Sequence, residues 1–257
     1  VEILASQAEI GQGIKTTLCK IVANELNLPL ERVFYDYPDT DNVPDSGPTV
    51  ASRSLMTVGE LLRRAAIRLR GEWREGEEQT VEERFTEPDF VIPFDLATFE
   101  GDAYPTYAWG ACAAEVRVDT LTGVNELTGV WACFDVGTPM DENIVMGQME
   151  GGLLQGLGYA SMEQMAYDSA GRIRNNSFTD YIIPTSVDVP VMQVKLHQVE
   201  YPLGPYGAKG AGELPLVGAP PAYMAAMEQA LGANVNHIPY SAEDALTALT
   251  QTHKEGR

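Results

Sequence analysis

The chain has 257 residues, 44% of them hydrophobic, which is enough to bury a sizeable core in one large domain or two small ones. Its 37 acidic residues against 17 Lys and Arg give a formal net charge of −20, which argues against nucleic acid or an anionic membrane as partner and for a small molecule or another protein. Cys19, Cys112 and Cys133 are odd in number, far apart and never in a CxxC, so they read as small buried hydrophobes in a reducing compartment, not as a disulfide framework or metal nest. In chain order, residues 1–8 read as a strand, GQG as a turn and 14–28 as a helix with Leu18, Ile21, Val22 and Leu26 on one face and Pro29 beyond its end. RVFYDY reads as a strand, and PDTDNVPDSGPT is turn chemistry that delivers the chain into a second helix at roughly 50–70. Residues 71–88 are highly charged and read as a surface excursion between two lobes. From 106 the pattern alternates through the turn TLTG as an antiparallel hairpin, followed by a helix over 144–165 and strand-like runs at 178–183 and 191–199. The last predicted helix, about 219–231, carries Pro220 and Pro221 in its first turn and Gly232 past its end. The expected class is α+β with two interleaved mixed lobes, approximately 1–88 and 100–250 of a domain spanning 1–257.

No apolar run approaches the ~20 residues of a membrane span, and the first residues lack the charged and apolar regions of a signal peptide, so a cytoplasmic location is expected. The opening VEILASQAEIGQG lacks a Met and begins in mid-strand by its apolar content, as a fragment, a processed chain or one piece of a split polypeptide does.

Four glycine-bounded stretches carry candidate chemistry. EIGQG puts Gln12 between Gly11 and Gly13 immediately before a helix, where backbone amides and the side-chain amide can face an anion; a plain tight turn explains the same pattern. SGPTVASRS, residues 46–54, brings Ser52 and Ser54 to a helix start, where hydroxyls can donate to phosphate or oxo groups or simply cap, and where Arg53 can act as a phosphate fork or lie on the surface. MGQMEGGLLQGLG has glycines at 147, 151, 152, 156 and 158; in a helix they form a side-chain-free stripe for a neighbouring backbone or a planar ligand, with Gln148 in the first turn. GAKGAGELPL, residues 207–216, reads as a mobile loop around one acid, Glu213, with Lys209 either orienting a ligand or solvated.

Taken in order, EIGQG, VPDSGPTVASRS, MGQMEGGLLQGLGYASMEQM and GAKGAGELPLVGAPPAYMAAMEQALG resemble the C-terminal half of the molybdenum-binding subunit of the xanthine dehydrogenase family, over about residues 1–248. The resemblance implies a molybdopterin-binding domain of that type. By it, Gln12, flanked by Gly11 and Gly13, falls on the glutamine that hydrogen-bonds the dithiolene or oxo end of the cofactor, and Ala51 on the residue whose backbone lies against the metal centre. Ser52 and Ser54 fall in the same cradling loop, Gln148 on the glutamine of the family's GQxEG stretch near the molybdenum ligands, and Glu213 on the active-site glutamate. The implied activity is hydroxylation of an N-heterocycle of purine or nicotinate type with oxygen from water, with aldehyde oxidation and a non-catalytic assembly subunit as alternatives. The implied cofactor is molybdopterin with molybdenum, for which bacterial members often use the cytosine dinucleotide form. The 2Fe-2S clusters, the FAD and half of the molybdenum site then belong to partners: an iron–sulfur subunit, a flavin subunit and a companion molybdenum-subunit chain. A carboxylate near a helix N-terminus suits the proton-accepting role that such a reaction requires.

Overall fold

The computed structural model describes residues 1–255. The chain divides into two compact units, each assembled from several segments: one from 1–109, 135–145 and 197–212, the other from 110–134, 146–196 and 213–257. The first unit therefore takes in two later segments that a simple cut near residue 90 would leave out.

In the first unit, helix α1 (Ile14–Leu26) packs Ile14, Leu18, Ile21 and Val22 against Ile3, Ala5, Val33, Tyr35 and Val58. That spacing places one apolar stripe toward the core, and Asn27, in the left-handed region at φ 52, ends the helix before Pro29 is reached. The expected strands at 1–8 and RVFYDY shrink to one parallel bridge, made by Ile3 N to Phe34 O and Phe34 N to Val1 O, both 2.8 Å. The physical reason lies just beyond. Ser6 N donates to Ser46 Oγ at 2.8 Å and Ala8 N to Thr49 Oγ1 at 2.9 Å, so the segment spends its backbone donors on loop side chains instead of a ladder. The second helix starts later than expected, with one π turn (Ser54–Gly59) leading into α2 (Glu60–Glu72), because Ala51 and Ser52 hold φ 52 and 55 and cannot be helical. Residues 73–109 have no helix and only the isolated bridge between Asp95 and Glu100.

The second unit is built on the hairpin β1 (Gly110–Val118) and β2 (Asn125–Asp135), antiparallel with a bulge at Glu115/Val116, and on β3 (Val191–His197) at the far side of β2. Its core joins Val130, Ala132 and Phe134 to Met149, Leu153 and Leu157 of α3 (Glu142–Ser161) and to Ala219, Tyr223 and Met227 of α4 (Leu214–Leu231). Gly152 and Gly156 of α3 face Pro215, Leu216, Ala219 and Pro220, and a Cβ at 156 would lie 2.7 Å from Leu216 O. Close helix packing is thus what these two glycines do, whereas Gly147 and Gly151 have nothing within 4 Å of a Cβ position.

Four expectations change. Helix α4 begins at Leu214, so Pro220 and Pro221 lie in its interior and free the carbonyl of Leu216, the one Gly156 approaches. Residues 178–183 form a turn on Ser177, whose carbonyl accepts from Asp180 N and Tyr181 N at 3.0 and 2.8 Å. An unexpected helix, α5 (Ala242–Glu255), follows, opened by a reciprocal Ser241–Asp244 cap. Cys19 and Cys112 are half-buried and Cys133 exposed, so the three are not all core residues.

Candidate cofactor site

The cradle is organised by a residue that sequence reasoning missed. Gln7 is 0% exposed, and its Nε2 donates to Gly47 O at 2.8 Å, Ser46 Oγ at 3.1 Å and Ser46 O at 3.2 Å. Its Oε1 accepts from Thr49 Oγ1 at 3.4 Å and from the buried Ser54 hydroxyl. A polar side chain so enclosed must satisfy its amide locally, and here it does so by shaping the whole 46–54 turn. Arg53 completes the frame by donating to Ser46 O at 3.0 Å and Pro48 O at 3.2 Å, so its fork serves the loop. The signal for Gln7 was present as a lone amide within the apolar run VEILASQ.

Against this turn lies the glycine loop. A Cβ at Gly210 would overlap the carbonyl oxygen of Ser52, and one at Gly212 would stand 3.5 Å from Ser52 Oγ, so glycine is what lets the two backbones touch. The loop is also anchored. Lys209, expected either to orient a ligand or to be solvated, does neither: it is 7% exposed and its Nζ reaches Asp135 Oδ2 at 2.6 Å. Asp135 Oδ1 accepts from Gly137 N at 3.2 Å and Val199 N at 3.3 Å, and Lys209 N bonds Val136 O at 3.0 Å. Just before the loop, Tyr206 donates to Glu25 Oε1 at 2.6 Å and accepts from Asn24 Nδ2 at 2.8 Å. The loop expected to be mobile is pinned on its N-terminal side, at Tyr206 and Lys209.

The EIGQG turn is ordered differently from the expectation of open amides. Glu9 curls back so that Oε1 accepts from Gly11 N and Gly13 N at 2.8 and 2.9 Å and Oε2 from Lys15 N at 3.0 Å. Burial alone would raise this carboxyl; the bonds from the Lys15, Gly13 and Gly11 amides outweigh it and hold Glu9 below the usual glutamate range. The chain therefore supplies its own anion at the N-terminus of α1. Gln12 Oε1 accepts from Ile10 N at 2.7 Å and its Nε2 donates to Ala8 O at 2.9 Å. An amide nitrogen carries two hydrogens, so one N–H of Gln12 is left over from that bond.

Ala51, Ser52, Ser54, Gly11, Gln12 and Gly13 thus share the first unit, with Ala51 and Ser52 brought against Gly210 and Gly212. Gln148 and Glu213 belong to the second. Gln148 is half-buried in the second turn of α3, one turn later than expected. Glu213 is exposed in the position before α4 and does not cap it through its side chain. Among the described residues no group of three or more His, Cys, Asp or Glu side chains is placed to hold a metal ion, and no helix is long and apolar enough to cross a membrane.

The family model described as molybdopterin cofactor-binding domain matches residues 1–90 and 72–190. The chain belongs to this family. Aldehyde oxidase 4 of Mus musculus is 30% identical over 224 residues, covering 80% of this chain and 17% of that protein. The nicotine 6-hydroxylase large subunit of Paenarthrobacter nicotinovorans is 29% identical over 276 residues, covering 93% and 34% respectively. Among solved structures, the aldehyde oxidoreductase from Desulfovibrio gigas superposes with a TM-score of 0.87 at 25% identity, over 97% of this chain and 29% of that one. The chain spans about a third or less of the length of these relatives. As a molybdopterin-binding domain of α+β class, it has the fold type that the ordered motifs implied.

Proposed function

We propose that this chain is a molybdopterin-binding subunit of a molybdenum hydroxylase, acting in the cytoplasm on an N-heterocyclic substrate of purine or nicotinate type. When bound, the molybdenum cofactor supplies the redox chemistry that places a water-derived oxygen on carbon and passes electrons to iron–sulfur and flavin centres on partner subunits. What carries the reading is the family match along residues 1–190, joined to a single acid, Glu213, set directly after a loop anchored by a buried ion pair.

The residues fit such a group. The consecutive left-handed residues Ala51 and Ser52 present backbone with small side chains, as a close approach to a metal centre requires, and Gln7 and Ser54 hold that turn in shape. Gln12 meets the cofactor through its remaining N–H, because Glu9 already occupies the amides of Gly11 and Gly13. Gln148, on α3 of the second unit, is assigned to the cofactor by the family resemblance of its GQxEG stretch alone. A molybdopterin cofactor, in its cytosine dinucleotide form, would rest on Gln12 and on the turn of Ala51, Ser52 and Ser54. The carboxylate of Glu213 accepts the proton released as the water-derived oxygen is transferred.

The nicotine 6-hydroxylase relative supports the N-heterocyclic substrate. Aldehyde oxidation is the second reading, supported by the aldehyde oxidase and aldehyde oxidoreductase relatives. Glu213→Gln tests the base. Folding and metal content should survive while turnover of the assembled enzyme falls roughly 100-fold or more, the usual scale for losing a general base. Near-normal turnover at matched metal loading would remove Glu213 from the mechanism.

A further inference from the structure

Residues 92–102, in the first unit, close on themselves. Ile92 N donates to Asp102 Oδ2 at 2.9 Å and Asp102 N returns a bond to Ile92 O at 2.8 Å, which staples the two ends. Inside, Asp95 N donates to Glu100 O and Phe99 N to Asp95 O, both at 2.8 Å, and Asp95 Oδ1 accepts from Ala97 N at 2.8 Å. Five backbone amides of the segment are thus bonded within it, yet its apolar side chains meet water: Ile92 is 64%, Leu96 77% and Phe99 77% exposed. Phe99 also holds φ 56, a left-handed conformation that bulky residues rarely adopt, with its ring edge-on to Phe94 at 6.3 Å. Folding of this chain gains little from a strained aromatic presented to solvent, and such strain is characteristic of surfaces built to engage something.

The chemistry of the occupant follows from the surroundings. Residues 85–109 carry Glu87, Asp89, Asp95, Glu100 and Asp102 and not one Lys or Arg. A partner with an apolar pocket rimmed by Arg and Lys complements that pattern, whereas an acidic or purely apolar surface leaves the carboxylates unpaired. The chain spans 34% of the nicotine 6-hydroxylase large subunit, and the multi-chain reading proposed above assigns the rest of such a subunit to the companion chain, which makes that chain the occupant argued for here.

We infer that the 92–102 knuckle is a preformed docking knob whose Ile92, Leu96 and Phe99 seat in a basic-rimmed apolar pocket on the companion molybdenum-subunit chain. The inference rests on the multi-chain reading above. Because the knob is already ordered, little conformational entropy is lost on docking, and its central apolar side chains carry most of the affinity.

The test uses the complex purified through a tag on this chain, with the companion identified by mass spectrometry as the portion of the relatives' subunit lacking here. Leu96→Asp should weaken companion binding at least tenfold. Phe99→Gly suits the left-handed backbone better than Phe, so its melting temperature should hold or rise while companion binding still falls at least fivefold. Leu121→Asp, a control at an 87% exposed site in the β1–β2 turn, should change neither. Unaltered companion binding in both knuckle variants, or an equal loss in the control, overturns the docking assignment and leaves the multi-chain reading standing. Loss of an iron–sulfur or flavin chain with the companion retained overturns the occupant named here. A chain that brings down no companion yet holds its full molybdenum overturns both.

Discussion

A methyl group at position 210 would overlap the carbonyl oxygen of Ser52, and this contact joins two of the four motifs. Gly210→Ala should therefore push the loop or the 51–52 turn aside and cost about 1–3 kcal/mol, the usual scale of overpacking a close contact. Thermal unfolding in parallel with molybdenum content checks it: both should fall, because the turn displaced is the one assigned to the cofactor. Unchanged melting would show that the backbone gives way freely there. The glycines were legible in the sequence, but their purpose was not. Spacing reveals that side chains are absent; it does not reveal that position 210 will meet position 52 far away in the chain. Gln7 was overlooked for a similar reason, since its burial depends on a loop that begins at Ser46. Gln12, read as facing a ligand with its neighbouring amides, shares its turn with Glu9, whose carboxylate takes those amides first.

At the scale of elements, one buried ion pair fixes the loop before α4 to the end of β2. Lys209 and Asp135 have side-chain exposures of 7% and 3%, so removing one charge strands the other out of water. Lys209→Met is expected to cost about 3–5 kcal/mol by chemical denaturation. The double change Lys209→Met with Asp135→Leu should recover much of that loss, because the unpaired charge is gone, although the amides of Gly137 and Val199 then lose their acceptor. If the double variant is as unstable as the single one, the backbone bonds of Asp135 matter more than its charge pairing. The elements with a clear period, α1 and the β1–β2 hairpin, were legible because one face of each is packed within a unit. Residues 1–8 alternate like a strand yet pair with hydroxyl groups, which no hydrophobic pattern reports. Helix α5 is mostly polar and was missed, although its Ser241–Asp244 cap is an S-x-x-D start signal that was there to read.

At the scale of the whole molecule, family membership was carried by the order of four modest motifs, none of which decides it alone. Unit boundaries were harder to see, since 135–145 and 197–212 join residues 1–109 through long-range contacts such as those of Lys20 with Asp141 and of Tyr206 with Glu25. A net charge of −20 keeps most of the surface solvated, so association should be confined to the apolar aromatic stretch and to faces that a companion covers. In the proposed assembly this chain holds a molybdenum cofactor together with partners and not by itself. The most direct measurement is molybdenum and pterin per copy of this chain, by elemental analysis and by pterin fluorescence after oxidation, in the purified complex and in the chain expressed alone. About one of each per chain is expected in the complex and far less than one on the isolated chain. Stoichiometric molybdenum on a stable monomer, or a complex free of molybdenum and pterin that still turns over an N-heterocycle or an aldehyde, would contradict it.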